Sequence, residues 1–343
     1  MKKIRVAING FGRIGRAFFR LAEENPNLEV VAVNDLAEVK NLTYLLKYDS
    51  VYRRASFSIE PTDGGLLVSG RKVAFSAEKE LAKLPWKDIG VDIVVEATGV
   101  FNDYEKASAH ISAGAKRVVI TAPAKGESPT GITSAMVLMG INDEKLATCQ
   151  VSSNASCTTN AASPVIAILD GAIGIEKAIL STTHAYTASQ AIVDGISKKD
   201  MREGRAAAQN IIPSSTGAAV AVATVYEPLK GKFDGISLRV PVPSGSVADI
   251  TFIAKRPTTV EEVNDILRKA AKDPHWEGIF TATDEDIVSS DIIGEPYGAI
   301  ADLSMTRVVD GNLVKVLSWY DNEMGYVHTL LKHVIAAGAA IEV

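Results

Sequence analysis

Ile4-Arg5-Val6-Ala7-Ile8-Asn9-Gly10-Phe11-Gly12-Arg13-Ile14-Gly15, with the run that carries it on to Asp35, decides the fold. Ile4 to Ile8 is a short apolar strand. Gly10 to Asn25 has helical periodicity through Ile14, Phe18 and Leu21, and Leu28 to Val33 is a second apolar strand ending at Asn34-Asp35. Gly10 to Gly15 is therefore a G-x-G-x-x-G set between a strand and a helix, with an acid, Asp35, closing the next strand. Gly10 permits the tight turn, Gly12 lets the backbone approach a pyrophosphate, and Gly15 allows close packing of helix on strand. The helix start presents unpaired N–H groups and a partial positive charge to phosphates. Asp35 suits a ribose 2′-hydroxyl and repels a 2′-phosphate, which favours NAD over NADP.

The β-α-β pattern continues outward. A helix is expected over Val39 to Lys47, and small antiparallel strands within Ser56–Phe75, where Asp63-Gly64-Gly65 and Gly70 mark turns. Asp92 to Val95 and Arg117 to Ile120 read as buried strands flanking a helix near Asp103 to Ala113, and Ala135 to Met139 reads as another strand. Short apolar strands separated by helices predict a parallel sheet covered on both faces. Glu96-Ala97-Thr98-Gly99 and Thr121-Ala122-Pro123 follow two of these strands, where such sheets hold ligands.

After about residue 155 the pattern changes. A helix follows Ser156, then a long strand from Lys177 to Thr183. A polar loop runs from Tyr186 to Gln209. Ile236–Val242, Val247–Ala254 and Val314–Trp319 suit an antiparallel sheet. Thr258-Thr259-Val260-Glu261 reads as a capping box ahead of a helix burying Val260, Val263, Ile266, Leu267 and Ala270. Gly325 to Ala337 is an apolar helix. The expected fold class is an α/β Rossmann-like cofactor domain plus an α+β catalytic domain with a mainly antiparallel sheet. The expected boundaries are 1–156, completed by a C-terminal helix over 324–343, and 157–323.

The chain has 343 residues, 47% apolar and 22% charged, with a net charge of −5. The composition excludes a disordered chain, and the acidic balance argues against nucleic-acid and membrane-surface partners. No apolar run approaches a membrane span, and no signal peptide is read. Two cysteines are too few for a disulfide framework or a Cys-rich zinc site, so no metal is expected and a reduced, cytoplasmic setting follows. Cys149 reads as a buried structural thiol.

Ser153-Asn154-Ala155-Ser156-Cys157-Thr158-Thr159-Asn160 leaves a strand read as Cys149–Ser152 and opens a helix. A cysteine in a first helical turn has its thiolate stabilised by N–H groups, so the Cys157 pKa is expected to fall. A nucleophilic cysteine needs a base. His184 ends a strand just before the long loop, while His328 and His333 read as structural or solvent-facing. Ser214-Ser215-Thr216-Gly217 is a candidate phosphate nest opening the Ala218–Val225 helix. Arg239, inside an apolar strand, needs an anionic partner.

Together these stretches resemble the phosphorylating glyceraldehyde-3-phosphate dehydrogenase family over nearly the whole chain. Ser-Cys-Thr-Thr-Asn at 156–160 and Trp-Tyr-Asp-Asn-Glu-Met-Gly-Tyr at 319–326 are the most specific segments. The resemblance implies NAD-dependent oxidation of D-glyceraldehyde 3-phosphate through a Cys157 hemithioacetal and thioester, with His184 as the proton carrier. The thioester would be cleaved by inorganic phosphate. It implies that Thr187 and Arg239 hold the substrate phosphate and that Ser156, Thr158, Thr216 and Gly217 hold the attacking one. Gly10, Phe11, Gly12, Arg13, Ile14, Gly15, Asp35, Thr98, Gly99 and Thr121 would hold the cofactor, with Asn322 on the nicotinamide carboxamide and Tyr326 packed nearby. It further implies a homotetramer in which the 186–209 loop reaches a neighbouring subunit.

Two departures stand out. Ala161 occupies the position where the family often has a second cysteine. Gly195-Ile196 stands where many strictly NAD-using members have Leu-Pro or Gly-Pro, so weak NADP use is expected beside NAD. The closest alternative is erythrose-4-phosphate dehydrogenase, which shares the Cys and His. A non-catalytic nucleotide-binding protein is a further alternative, disfavoured by the intact Cys157, His184 and Arg239.

Overall fold

A computed structural model describes residues 3–197 and 200–341, which divide into two compact units, one of 3–155 with 330–341 and one of the described residues between 156 and 329. In the first, the elements are β1 (Ile4–Asn9), α1 (Arg13–Glu24), β2 (Leu28–Asn34), α2 (Val39–Lys47), β3 (Tyr48–Asp49), β4 (Arg53–Arg54), β5 (Ile59–Thr62), β6 (Gly65–Val68), β7 (Arg71–Ser76), α3 (Trp86–Ile89), β8 (Ile93–Glu96), α4 (Tyr104–Ala107), α5 (Ala109–Ser112), β9 (Arg117–Ile120), β10 (Ser134–Met136) and β11 (Val151–Ser153). The second contains α6 (Cys157–Ile173), β12 (Ile175–Ala185), β13 (Ile212–Ser215), α7 (Ala218–Val225), β14 (Phe233–Val240), β15 (Ser246–Ala254), α8 (Val260–Ala270), β16 (Phe280–Thr283), β17 (Ala299–Val309) and β18 (Leu313–Tyr320). Helix α9 (Met324–Ala339) starts in the second unit and ends in the first.

The first sheet has the order β10-β11-β9-β8-β1-β2-β7-β6-β5. Its pairs from β10 to β7 are parallel, while β5–β6 and β6–β7 are the antiparallel hairpins expected around the glycine turns. Strands buried on both faces explain the unbroken apolar runs: Val6, Ala7, Ile8, Val94 and Val119 are fully or almost fully buried. Helix α1 buries Ala17, Phe18, Phe19 and Ala22. At the other end of the unit, Gly338 lies against Ile4, and Arg117 Nη2 donates to the carbonyl of Ala340 at 2.9 Å.

The second sheet has the order β13-β14-β12-β15-β18-β17-β16. It is mostly antiparallel, with two exceptions: β12 pairs with β14, and β16 with β17, in parallel. The β12–β14 connection contains β13 and α7, long enough to return the chain in the same direction. Strands β16 and β17 went unread in the sequence because polar residues interrupt their apolar pattern.

Three local expectations shift. The capping residue of α8 is Thr259, whose hydroxyl accepts from Glu262 N–H at 3.2 Å, while the Thr258 hydroxyl donates to the Glu262 carboxylate. The N-cap is thus Thr259, one residue later than read. The helix expected over 103–113 breaks into α4 and α5 at Ser108, whose hydroxyl bonds back to Glu105 O at 2.5 Å. The strand before the nucleophile begins at Val151, because Cys149 N–H closes a turn onto Lys145 O.

Candidate active site

Within the first unit the glycine loop is shaped by three different constraints. Gly10 has φ +92°, and a Cβ there would meet Thr98 N at 2.5 Å. A Cβ on Gly15 would meet Gly10 O at 2.2 Å, so this glycine lets the helix lie against the loop. Gly12 is different: its φ is ordinary, and a Cβ would meet nothing within 4 Å. The protein's own packing does not require Gly12, and it offers α1 no capping side chain. That open face fits a dinucleotide pyrophosphate approaching the backbone. Asp35 accepts from Phe11 N–H at 2.7 Å and from Ala37 N–H at 2.9 Å, which ties the end of β2 to the loop. Phe11 is buried edge-on to Phe19, Arg13 pairs with Asp49, and Ile14 is half-buried.

Thr98 is held by Glu96, which sequence reasoning placed only in a lining loop. The fully buried Glu96 carboxylate accepts from Thr98 N–H at 2.9 Å, from the Thr98 hydroxyl, and from Asn9 Nδ2 at 2.5 Å. Its fourth donor is His110. Trp86 Nε1, which can only donate, bonds His110 Nδ1 at 2.9 Å, so His110 carries its proton on Nε2, 3.0 Å from Glu96. Thr121 bonds the Glu96 carbonyl through its N–H and hydroxyl, and Gly99 is exposed.

In the second unit Cys157 is the first residue of α6. Ser156 caps the helix by accepting from Thr159 N–H at 3.1 Å. The residue just before this unit, Ala155, is buried at φ +53°, a strained conformation for a non-glycine residue beside a reactive group. Cys157 Sγ lies 3.4 Å from His184 Nε2. His184 is the penultimate residue of β12, in register with Arg239 on β14, which brings Arg239 Nη1 to 2.6 Å from His184 Nδ1. Ala185 O lies 2.7 Å from the same Nδ1.

Burial pushes the Cys157 thiol above its ordinary value, against the pull of Arg239 and of the Thr158 and Cys157 N–H groups. Burial, then Arg239, pushes His184 down to about 3, although Ala185 O favours the charged ring. The expected fall of the Cys157 pKa is therefore not met: desolvation outweighs the helix start. His333 is also pushed down to about 3 by burial; it bonds Ser152 Oγ at 2.8 Å and Asn154 Oδ1 at 3.1 Å.

These two histidines make stability depend on pH. Both folded values lie below the unfolded value of about 6.5, so the unfolded chain takes up protons that the folded chain refuses. The stabilisation is present above pH 6.5 and is lost as pH falls toward 3, at up to about 1.4 kcal/mol per pH unit per histidine. Urea denaturation of His333→Gln at pH 7, 6 and 5 should show roughly half the parent's slope of stability against pH below 6.5.

The remaining residues are dispersed within their units. Thr187 is exposed; its N–H bonds Gln190 Oε1 at 2.9 Å. Thr216 accepts from Ala218 N–H at 3.1 Å, and Gly217 precedes α7. Neither makes a hydrogen bond to Cys157, His184 or Arg239 among the described residues. The Thr158 hydroxyl bonds Tyr320 OH at 2.8 Å. Asn322 Oδ1 accepts from Gly245 N–H and the Ser246 hydroxyl, which fixes the amide with its NH2 as the donor end. Tyr326 is buried.

Sequence reasoning missed Tyr320 and Asp321. Tyr320 is fully buried, stands edge-on to His184 at 5.9 Å, and joins Thr158 to Thr182 through its hydroxyl. Buried Asp321 accepts from Glu323 and Met324 N–H at the start of α9. Their signal was their place in the 319–326 segment.

Residues 4–104 match the family model described as glyceraldehyde 3-phosphate dehydrogenase, NAD binding domain, and residues 156–322 match its C-terminal domain. The chain belongs to the glyceraldehyde-3-phosphate dehydrogenase family. It is 50% identical to the glyceraldehyde-3-phosphate dehydrogenase of Thermotoga maritima over 94% of this chain and 95% of that one. It is 46% identical to that of Streptomyces coelicolor, over 98% of both chains, and 46% identical to that of Geobacillus stearothermophilus, over 96% of both. Its Rossmann unit is the NAD-binding domain of a glyceraldehyde-3-phosphate dehydrogenase family member, and the open face at Gly12 is the feature of that unit which fits the cofactor.

Proposed function

We propose that this chain oxidises D-glyceraldehyde 3-phosphate to 1,3-bisphosphoglycerate with NAD and inorganic phosphate, the step shared by glycolysis and gluconeogenesis. The contact of Cys157 Sγ with His184 Nε2 at 3.4 Å carries the reading. Cys157 Sγ attacks the aldehyde carbon, and its proton passes through His184 Nε2 to the new oxyanion, giving a hemithioacetal. The N–H of Cys157 steadies that oxygen. His184 then takes the hydroxyl proton back as the carbonyl reforms. Bound NAD supplies the hydride acceptor for this oxidation. Inorganic phosphate attacks the resulting thioester, the C–S bond breaks, and the thiolate is regenerated with release of the acyl phosphate.

In this reading Thr187 and Arg239 hold the substrate phosphate, and Ser156, Thr158, Thr216 and Gly217 hold the attacking phosphate. Gly10 to Gly15, Asp35, Thr98, Gly99 and Thr121 hold NAD, with Asn322 and Tyr326 at the nicotinamide. Asp35 supports a preference for NAD, with weak NADP use. The relatives named above carry the glyceraldehyde-3-phosphate name, which disfavours erythrose 4-phosphate as substrate.

The enzyme is proposed to be a homotetramer. Odd-numbered residues of β12 face away from His184, and there exposed Ile179 borders a groove of about 700 Å³ lined also by Phe233, Ile253 and Leu313. Lys177, Lys232 and Asp234 also line it, and a groove that sets apolar residues among charges of both signs suits a second copy. Among the described residues no helix is long and apolar enough to cross a membrane, and a cytoplasmic enzyme is proposed.

NADH formation from glyceraldehyde 3-phosphate and NAD tests the reading. Sustained turnover is expected only with inorganic phosphate, and a burst of about one NADH per subunit without it. Sustained turnover without phosphate would overturn the acyl-phosphate step.

A further inference from the structure

Four strands adjacent in the first sheet end on polar side chains: Glu96 on β8, Asn9 on β1, Asn34 on β2 and Ser76 on β7. These side chains are hydrogen-bonded in that order across the carboxyl edge. Asn9 Nδ2 donates to Glu96 Oε2 at 2.5 Å, Asn34 Nδ2 to Asn9 Oδ1 at 2.7 Å, and Ser76 Oγ to Asn34 Oδ1 at 2.9 Å. Glu96, Asn9 and Asn34 are buried. Burying such a row carries a desolvation cost that apolar side chains would not.

Both ends of the row are fixed by groups that can only donate. At one end Glu78 N–H reaches Asn34 Oδ1 at 2.9 Å, so Asn34 turns its NH2 toward Asn9, and Asn9 turns its own toward Glu96. At the other end Trp86 Nε1–H takes the lone pair of His110 Nδ1, so His110 presents Nε2–H to Glu96 Oε2 at 3.0 Å. Both chains of donors thus end on one carboxylate. Flipping either amide, or moving the His110 proton to Nδ1, sets donor against donor and acceptor against acceptor. Only one arrangement is allowed.

The loops that leave these strand ends are what the arrangement holds. Asn9 is followed by Gly10, Asn34 by Asp35, and Glu96 by the turn to Thr98. The other Glu96 oxygen, Oε1, accepts from Thr98 N–H at 2.9 Å, and Thr98 N is the atom that a Cβ on Gly10 would strike first. Asp35 closes the circuit by accepting from Phe11 N–H. Loops fixed before a ligand arrives need not be ordered on binding, and that gain is read as affinity.

We propose that His110 is a positioning residue for NAD: through Glu96 it sets the loops after β1, β2 and β8 in the form the dinucleotide requires, although its own ring is fully buried. The proposal rests on the reading of Gly10 to Gly15, Asp35 and Thr98 as the cofactor site. Loss of the His110 ring nitrogens leaves Glu96 one donor short and Trp86 Nε1–H without its acceptor, and the carboxylate no longer holds Thr98 in a single place. His110 takes no part in hydride transfer, so the effect falls on KM for NAD rather than on kcat.

Calorimetric titration of the full-length protein with NAD tests this in two variants. His110→Phe keeps a flat ring with no donor or acceptor; His110→Gln keeps an N–H for Glu96 and a carbonyl for Trp86. At a temperature where circular dichroism shows it folded, His110→Phe is expected to raise Kd for NAD about tenfold or more, while His110→Gln stays within about threefold of the parent. Steady-state kinetics should show the same rise in KM for NAD, with kcat changed by less than about threefold. A lower melting temperature in His110→Phe with Kd within about twofold of the parent would leave the row a purely structural one and overturn the proposal. An equal rise in His110→Gln would overturn the hydrogen bond to Glu96 as the cause. Should His110→Phe fail to accumulate, Ser76→Ala at the far end of the row decides: a rise in Kd of about threefold supports the proposal, and an unchanged Kd overturns it. A parent protein that takes up no NAD would overturn the reading of the loops as the cofactor site, and the positioning role with it.

Discussion

Cys157→Ser is expected to lower kcat/KM for NADH formation by about 10⁴-fold or more, some 5.5 kcal/mol of transition-state stabilisation. Serine preserves the size and hydrogen-bonding shape of the side chain at the start of α6, where the capping is done by Ser156, so the fold should survive. What is lost is the soft, readily ionised nucleophile, since a hydroxyl that far from ionisation gains little from His184 at its side. The measurement is stopped-flow absorbance of NADH together with thermal melting. The expected result is loss of both burst and turnover, with a melting temperature within a few degrees of the parent. His184→Asn should cost less, about 10²–10⁴-fold, because it removes the proton carrier but leaves the sulfur. A Cys157→Ser enzyme retaining a tenth of the parent's activity would remove Cys157 from the chemistry.

Gly10→Val and Gly12→Ala should separate the two kinds of glycine in the loop. At Gly10, φ is +92° and the added Cβ falls 2.5 Å from Thr98 N and 2.7 Å from the Ala97 carbonyl carbon. Those are backbone atoms, and Thr98 is pinned by the buried Glu96. Neither side can yield without breaking the Glu96 network. Strain plus overlap should cost at least about 3 kcal/mol, a fall in melting temperature of roughly 6–12 °C or failure to accumulate folded protein. Gly12→Ala adds a methyl group into open space at an ordinary φ, and the melting temperature should hold. NAD affinity should fall about tenfold or more, because the methyl group occupies the face where the pyrophosphate meets the backbone. Calorimetric titration with NAD checks this; unchanged affinity in Gly12→Ala would remove the loop from cofactor binding.

The division between legible and hidden features follows from the range of the forces involved. Periodicity, glycine spacing and capping residues act over a few positions, so the sequence by itself determined the β-α-β opening, the bounds of α2 at Val39–Lys47, and the start of α6 at Cys157. The same local signals misread the cap of α8 by one residue, and they merged α4 with α5, which part at Ser108, whose hydroxyl donates back to the Glu105 carbonyl.

Pairing is not local. Nothing in the sequence near β12 states that it runs parallel to β14 and antiparallel to β15, yet that register is what sets His184 beside Arg239. The Glu96–His110–Trp86 network joins residues up to 24 positions apart, and Tyr320 reaches Thr158 across 162 positions. Ionisation is likewise tertiary. The sequence located Cys157 at a helix start, which predicts a depressed thiol, whereas burial raised it because desolvation depends on everything packed around the sulfur. The sequence thus determined which groups were available for chemistry and the family to which they belong. Only the folded chain decided that Arg239 and Ala185 O both stand at one nitrogen of His184, because those distances are set by strand register and burial.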